Sequence, residues 1–529
     1  MRTILLVALV MILVTSAALG TVGAQDDSSK LRVTFSWPTF IDPAVGNDFS
    51  SSTSIVNIYD SLVFPNAEGG VDPWLAESWD ISEDGMQYTF HLRQGVMFHD
   101  GSELLASDVV YSYNRFKEIG EGFAYLLADA EVEAVDDSTV QFTLEQPSGL
   151  FLPSLLRLYV VNEDLVRANY GDDDTYGENA DYGKEWLLTN DAGSGPYMVT
   201  EFPLAEYLLM ARFDDWWNAE SFVENAPQEV RFIATTETAT VRALMEDGEL
   251  EITDQWQTIE ALEALDGMDN VSVTAFTGMT SFYYMMNNRL APLDDVHCRR
   301  AVAYAFDYDQ AVALEWPGTQ QMIGPVPQTV GGHNPDVTVF TRDLEKAQEE
   351  LDQCAYGDSI GDYPIDVVWI AEVPAEEKWA LLFQANMADI GINVNVISNP
   401  WLSVVENTSA QETSPHIVTI YVSTDLPEAG LMIQQRYHSS TAATWQQNEW
   451  LLNDELDAEI EDALTTVDQT ERFAKYAALQ AEIADMAPSL FLYDQQEKHA
   501  VADNVTWDPE ANSPVMGYQI YAPWIGVAQ

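Results

Sequence analysis

His91 and His99 fall within YTFHLRQGVMFHDGSELLASDVVYS (residues 88–112), a stretch that also carries an Asp-Gly turn and several acids. Imidazoles and carboxylates crowded together are the raw material of general acid–base catalysis or metal ligation. The local pattern argues against both. His91 alternates onto the polar face of a strand whose other face is Tyr88, Phe90 and Leu92, and His99 opens the turn His99-Asp100-Gly101. A solvated or locally hydrogen-bonded role is expected for each.

Other reactive patterns fail on spacing. There is no His-Glu-x-x-His and no phosphate-cradling Gly-x-x-x-x-Gly-Lys. Ala192-Gly193-Ser194-Gly195 lacks the glycine two before the serine that a nucleophile elbow needs. Asp172-x-Asp174-x-Tyr176-Gly177 begins like a calcium loop, but its fifth position is Tyr176 and its twelfth is Gly183, so a hydrated acidic turn is expected. Among 86 acidic residues, neighbouring carboxylates arise by chance, and no glycosidase pair can be argued. Cys298 and Cys354, the only cysteines, lack metal-ligand spacing. In an exported chain they could form a disulfide, although spacing alone does not show that they meet. No catalytic residue, metal or cofactor is expected.

The aromatic residues are more suggestive. Trp256, Trp401 and Trp445 lie at strand ends or in loops, where rings offer large contact area at low entropic cost. Core packing competes with cleft lining for each.

These residues sit in a 529-residue chain, long enough for several domain-sized units, with 22 basic and 86 acidic residues and a net charge of −64. That balance excludes nucleic acid as a partner, because phosphate binding needs a basic surface. The acids are spread along the chain, as in a hydrated, salt-adapted surface. Met1-Arg2-Thr3, the apolar run Ile4–Val14 and small Val22-Gly23-Ala24 read as a secretory signal peptide cleaved after Ala24. With no cysteine near the cut, lipid attachment is not expected, and the mature protein is expected in the periplasm or outside the cell. The sequons at Asn270, Asn407 and Asn504 carry no expected role.

Strand patterns are read at Leu31–Trp37, 79–93, 250–256 (LEITDQW), 365–371 and 392–398, and two more around Asp136-Asp137-Ser138. Helices are expected over VNIYDSLV after a polar loop, over 105–117 opened by Ser107-Asp108, and over DDVHCRRAVAYAFDYDQAVAL and AEEKWALLFQANMADIG. GDDDTYGENADYGKE is the strongest loop. The alternation predicts α/β units with largely parallel sheets.

PWLAESWDISEDGMQYTFHLRQGVMFHDGSELLASDVVYSYNRF closely resembles the signature of the oligopeptide/dipeptide-binding family of ABC-transporter solute-binding proteins. AGSGPYMVTEF with ARFDDWW, TATVRALMEDGELEITDQW, MMNNRLAPLDDVHCRRAVAYAFDYDQAV and IADMAPSLFLYDQ are similar to later landmarks of that family, in its order. The resemblance implies a two-lobed α/β fold. Residues 1–24 would be the signal peptide; 25–48, 190–276 and 494–529 a discontinuous first lobe; 49–189 a subdomain inserted in it; and 277–493 the second lobe. It implies a peptide or small-molecule ligand held between closing lobes, delivery to membrane permease subunits, a monomer, and no catalysis.

One departure bears on the ligand. Peptide binders of this family carry W-x-a-D-x-x-D-P, whose first Asp holds the peptide's α-ammonium, since a buried ammonium needs a paired charge. Here the stretch is IYVSTDLP: on Pro427, the Trp position is Ile420, the ammonium-binding Asp is Ser423 and the second Asp is Leu426. Asp425 could substitute with a two-residue shift. Ser423, Asp425, Tyr421 and Tyr283 therefore join Trp256, Trp401 and Trp445 as candidate ligand contacts. Oligosaccharide and opine ligands remain alternatives for the same fold, and a secreted carboxylate hydrolase is the competing class.

Overall fold

Alternation in QYTFHL does what period-two patterning requires: Tyr88, Phe90 and Leu92 are buried and the strand runs Gln87–Leu92. It pairs antiparallel with Ala76–Ile81 and Thr139–Leu144, and Ala130–Asp136 completes a four-stranded sheet. Helix Ala106–Ile119 packs against that sheet. Ser107 and Asp108 fall inside its first turn, and Asp108 reaches back to accept the Leu105 N–H at 2.9 Å. A computed structural model describes residues 29–35, 40–509 and 515–528; the proposed leader and Trp37 lie outside these.

The segment expected to be a polar loop before VNIYDSLV is instead the body of a helix, Phe49–Ile58. Asp48 caps it by accepting the Ser51 N–H, and Ser50 to Ser54 are buried. Thr53 and Ser54 tolerate that burial because their hydroxyls return to the Phe49 and Ser50 carbonyls, and Ser51 because its hydroxyl bonds the Asp48 carboxylate. The helix ends before Asp60, whose buried carboxylate accepts bonds from the indole N–H groups of Trp74, Trp216 and Trp217 and from the Ser194 hydroxyl. Burial nevertheless raises its pKa to about 6. Gly193 and Gly195 flank Ser194 because a Cβ at either would lie 2.1 Å and 2.5 Å from the Ile58 carbonyl group.

His99 is not solvated. Its ring accepts or donates across 92 residues, bonding Asp191 at 2.6 Å and the Gly195 carbonyl at 3.0 Å. Burial alone would lower its pKa, but the Asp191 charge prevails and the net direction is upward. The opening stretch is thus a brace between the inserted sheet and the Gly-Ser-Gly segment.

One four-stranded sheet has the order Lys30–Phe35, Glu229–Ala234, Tyr207–Arg212, Tyr197–Glu201. The expected strand at EITDQW does not form; Ile252 makes only isolated bridges to Val33 and Val501. Asp254 diverts the chain, its carboxylate taking bonds from Thr34, Trp256 N–H and Gln257. A second sheet runs Gln320–Gln321, Ser489–Ala502, Val271–Met286, Ile417–Ser423, Ile365–Ile370, Val394–Asn399. Apart from isolated bridges, parallel pairing among the described residues is confined to Lys30–Phe35 with Glu229–Ala234 and to Ile365–Ile370 with each of its two neighbours. The sheets are therefore mixed rather than largely parallel, because their remaining pairings are antiparallel.

The long strands Val271–Met286 and Ser489–Ala502 pair antiparallel within the six-stranded sheet, and Ile252 links it to the first sheet by bridging Val33 and Val501. Their register breaks where Thr277 pairs with Gln496 and Ser281 with Asp494, leaving residues 278–280 opposite a single residue. One face of the second sheet buries Phe282, Tyr284 and Met286 against helices Val296–Ala305 and Glu376–Ala388. Its other face buries Tyr283, Met285, Ile420 and Val422 with helices Ala429–Tyr437 and Gln469–Met486. The long helix expected over 294–314 breaks into Val296–Ala305 and Tyr308–Ala313, because Asp307 stops one and caps the next. Cys298 and Cys354 are joined as a disulfide. No helix among the described residues is long and apolar enough to cross a membrane.

Candidate functional site

Parallel strands of α/β sheets offer binding crevices beyond their carboxyl ends, where loops and helix starts converge. In the second sheet the strands ending at Ile370, Asn399 and Ser423 place Glu372, Trp401 and Asp425 just beyond those ends. In the first, Lys30–Phe35 ends at Phe35, against which Trp256 sits edge-on at 5.7 Å. Trp256 also meets Phe49 edge-on at 5.6 Å and remains 47% exposed, so this three-ring cluster is an open apolar platform.

The second platform is Trp401 with Trp445, edge-on at 5.2 Å. Trp401 opens helix Trp401–Thr408 after Pro400, and its backbone N–H donates to the Glu372 carboxylate at 2.9 Å. The Arg436 guanidinium lies 5.0 Å from the Trp445 ring centroid, within cation–π range. Arg436 is 2% exposed. Burial lowers its pKa against the opposing pull of Glu449, Tyr283, Tyr437 and Asp425. The same burial pushes the Glu449 carboxyl up to about 7.

The remaining candidates divide. Tyr283 is fully buried beside Arg436, and its hydroxyl donates to the Pro325 carbonyl. Tyr421 points to the opposite sheet face from Ile420 and Val422; its ring lies 4.6 Å from Phe282 and its hydroxyl bonds Tyr493 at 2.8 Å. The structure thus joins Trp401 and Trp445, adds Tyr283 beneath them through Arg436, and sets Tyr421 apart. Arg436 escaped sequence reasoning; its only signal was an arginine inside the otherwise uncharged LMIQQRY of a cation-poor chain.

Ser423 is exposed at the strand end. Two residues on, the Asp425 carboxylate accepts the Tyr125 hydroxyl at 2.7 Å, while its carbonyl accepts two Arg157 N–H bonds at 3.2 and 3.1 Å. Leu426 is buried, and Glu428 receives Arg472 through two bonds of 3.0 and 2.7 Å plus the Tyr476 hydroxyl at 2.9 Å. The loop after Ser423 is therefore anchored to Tyr125 and Arg157 on one side and to helix Gln469–Met486 on the other. Among the described residues, the one cluster with metal-ligand types is Asp295, Cys298 and Cys354, and its sulfurs are committed to the disulfide.

The family model described as bacterial extracellular solute-binding proteins, family 5 middle, matches residues 70–444. The D,D-dipeptide-binding periplasmic protein DdpA of Escherichia coli, a probable assignment by its own name, is 26% identical over 480 residues, covering 88% of this chain and 89% of that protein. Heme-binding protein A of Haemophilus influenzae is 26% identical over 481 residues, covering 85% and 84%. Among solved structures, the ABC transporter substrate-binding protein CtaP of Listeria monocytogenes superposes with a TM-score of 0.83 at 21% identity, over 95% of this chain and 100% of that one.

Proposed function

Because the chain belongs to family 5 of the bacterial extracellular solute-binding proteins, we propose that it captures a small peptide between two lobes and delivers it to the permease of an ABC importer. The observation that carries this reading is the pair of aromatic platforms, Phe35–Phe49–Trp256 and Trp401–Trp445. They stand beyond the strand ends of two sheets linked through Ile252, which bridges Val33 of one and Val501 of the other. A cleft walled this way gives contact area from both sides and closes about that link.

The lobes divide where the strand register breaks, near residues 277 and 494. The inserted subdomain, 49–189, belongs to the first lobe and meets the second at Asp425. A peptide is favoured over other solutes by the relative named for D,D-dipeptides and by the presence of both an acid, Asp425, and a buried guanidinium, Arg436, near the second platform. With Ser423 at the expected ammonium position, Asp425 takes that role once the peptide's ammonium displaces the Tyr125 hydroxyl. The mature protein acts outside the cytoplasm as a monomer and turns nothing over.

Isothermal titration of the mature protein with pooled di- and tripeptides, an oligosaccharide mixture and hemin tests this. Saturable one-to-one heat with peptides, and recovery of intact peptide afterwards, is the expected result. Binding of hemin or saccharide alone would reassign the solute, and cleaved peptide would reassign the class.

A further inference from the structure

Two loops of the inserted subdomain meet the second lobe backbone to backbone, and glycine stands at each closest approach. In the turn between Val63–Pro65 and Val71–Pro73, Gly69 lies so near Gly331 that a Cβ on either would overlap the other's Cα. At Gly149, whose N–H donates to the Leu464 carbonyl at 2.7 Å, a Cβ would lie 2.5 Å from the Thr466 carbonyl oxygen and 2.5 Å from Arg472 Cδ. Neither obstacle can swing aside. One is main chain, and the other belongs to a side chain that Glu428 grips through two bonds. Contacts this close admit only glycine.

This seam runs directly into the loop that carries Asp425. Gly331 donates its N–H to the Pro427 carbonyl at 2.8 Å and accepts the Ala429 N–H at 2.9 Å, a short parallel bridge to the loop. Arg472 stands against Gly149 on one side and binds Glu428 of the loop on the other. Tyr125 and Arg157 complete the seam on Asp425 itself. None of these contacts uses Trp256, Trp401 or Trp445. We infer that the seam is a latch: the turns at Gly69 and Gly149 dock on Gly331 and Thr466 as the lobes close, and the docked form holds the Asp425 loop in its binding geometry. The inference rests on the two-lobed capture reading and adds a control point away from the aromatic platforms. Affinity for a form that is only partly populated falls by that fraction, so one methyl group wedged in the seam weakens capture without touching the solute.

The test compares the mature wild type with Gly149→Ala and Gly331→Ala. Neither glycine has a positive φ, so the new methyl group acts through the seam and not through its own backbone. Gly267→Ala is the control, since its Cβ would meet nothing nearer than 3.6 Å. Small-angle scattering is read without solute, and affinity by calorimetric titration with a dipeptide pool. Both seam variants should have a larger radius of gyration than the wild type and bind the pool at least tenfold more weakly, while Gly267→Ala matches the wild type in both. Folded seam variants with wild-type dimensions or wild-type affinity overturn the latch and leave the peptide reading standing. Expanded seam variants of a wild type that binds no peptide uphold the latch and overturn the peptide reading. Hydrogen exchange on the wild type needs no variant: protection of the Gly149 amide should rise when peptide binds. Bound peptide with no gain in that protection overturns the latch even if both seam variants misfold.

Discussion

Replacing Glu428 with Gln isolates what holds the loop after Ser423. The carboxylate is fully buried and receives three bonds, two from Arg472 and one from Tyr476. Burial outweighs these donors and pushes its pKa up, so the pair survives on geometry and mutual charge rather than on solvation. Gln keeps the shape but leaves Arg472, itself 3% exposed, with only neutral partners that include the Thr466 and Val467 carbonyls. Breaking one side of a buried ion pair costs about 3–5 kcal/mol. In the double variant Glu428→Gln/Arg472→Met no charge is stranded, so its loss should be smaller than the sum of the single losses, with a coupling of at least about 1–2 kcal/mol. Urea unfolding followed by tryptophan fluorescence supplies both numbers. A Glu428→Gln loss below about 1 kcal/mol, or strictly additive singles, would show that the loop does not depend on this pair.

Three further outcomes follow from the same structure. His99, raised by Asp191 against the effect of burial, stabilises the fold fully below the unfolded histidine pKa of about 6.5, and that stability is lost as pH rises through its higher folded value. Wild-type stability should therefore fall on going from mildly acidic to mildly alkaline pH, and His99→Gln should flatten the slope; an unchanged slope refutes the brace. Opening the Cys298–Cys354 loop, 56 residues apart, with Cys298→Ser/Cys354→Ser should cost about 4 kcal/mol by loop entropy, and a loss under 1 kcal/mol would show that the second lobe does not need the link. With a net charge of −64, the melting temperature should climb steadily from low salt to molar salt as repulsion is screened, and a flat response counts against a salt-adapted surface.

Much of the scaffold was legible because patterning and burial coincide. Tyr88, Phe90 and Leu92 announced their strand, and the paired strands about Asp136 followed from alternation and turn chemistry. Reading failed where tertiary contacts override local preference. The serine-rich helix Phe49–Ile58 looks like a loop because its hydroxyls are polar, yet those of Thr53 and Ser54 return to the helix backbone and that of Ser51 to the capping Asp48. His99 looked local because its partner, Asp191, is 92 residues away. EITDQW alternates like a strand, but the Asp254 side chain takes the Trp256 N–H together with bonds from Thr34 and Gln257. Within the candidate site, exposed aromatics could be suspected from their place at strand ends, whereas Arg436 could not, since it joins the site through its packing against the Trp445 ring rather than through any spacing.

The central claim is peptide capture between the two aromatic platforms, and titration of wild type and Trp445→Ala with the dipeptide pool tests it most directly. The account predicts one-to-one binding by the wild type, weakened by about 1–2 kcal/mol when the ring is removed, with the variant's far-UV circular dichroism unchanged. Peptide binding at full strength by a folded Trp445→Ala, or no peptide binding by the wild type, would contradict it.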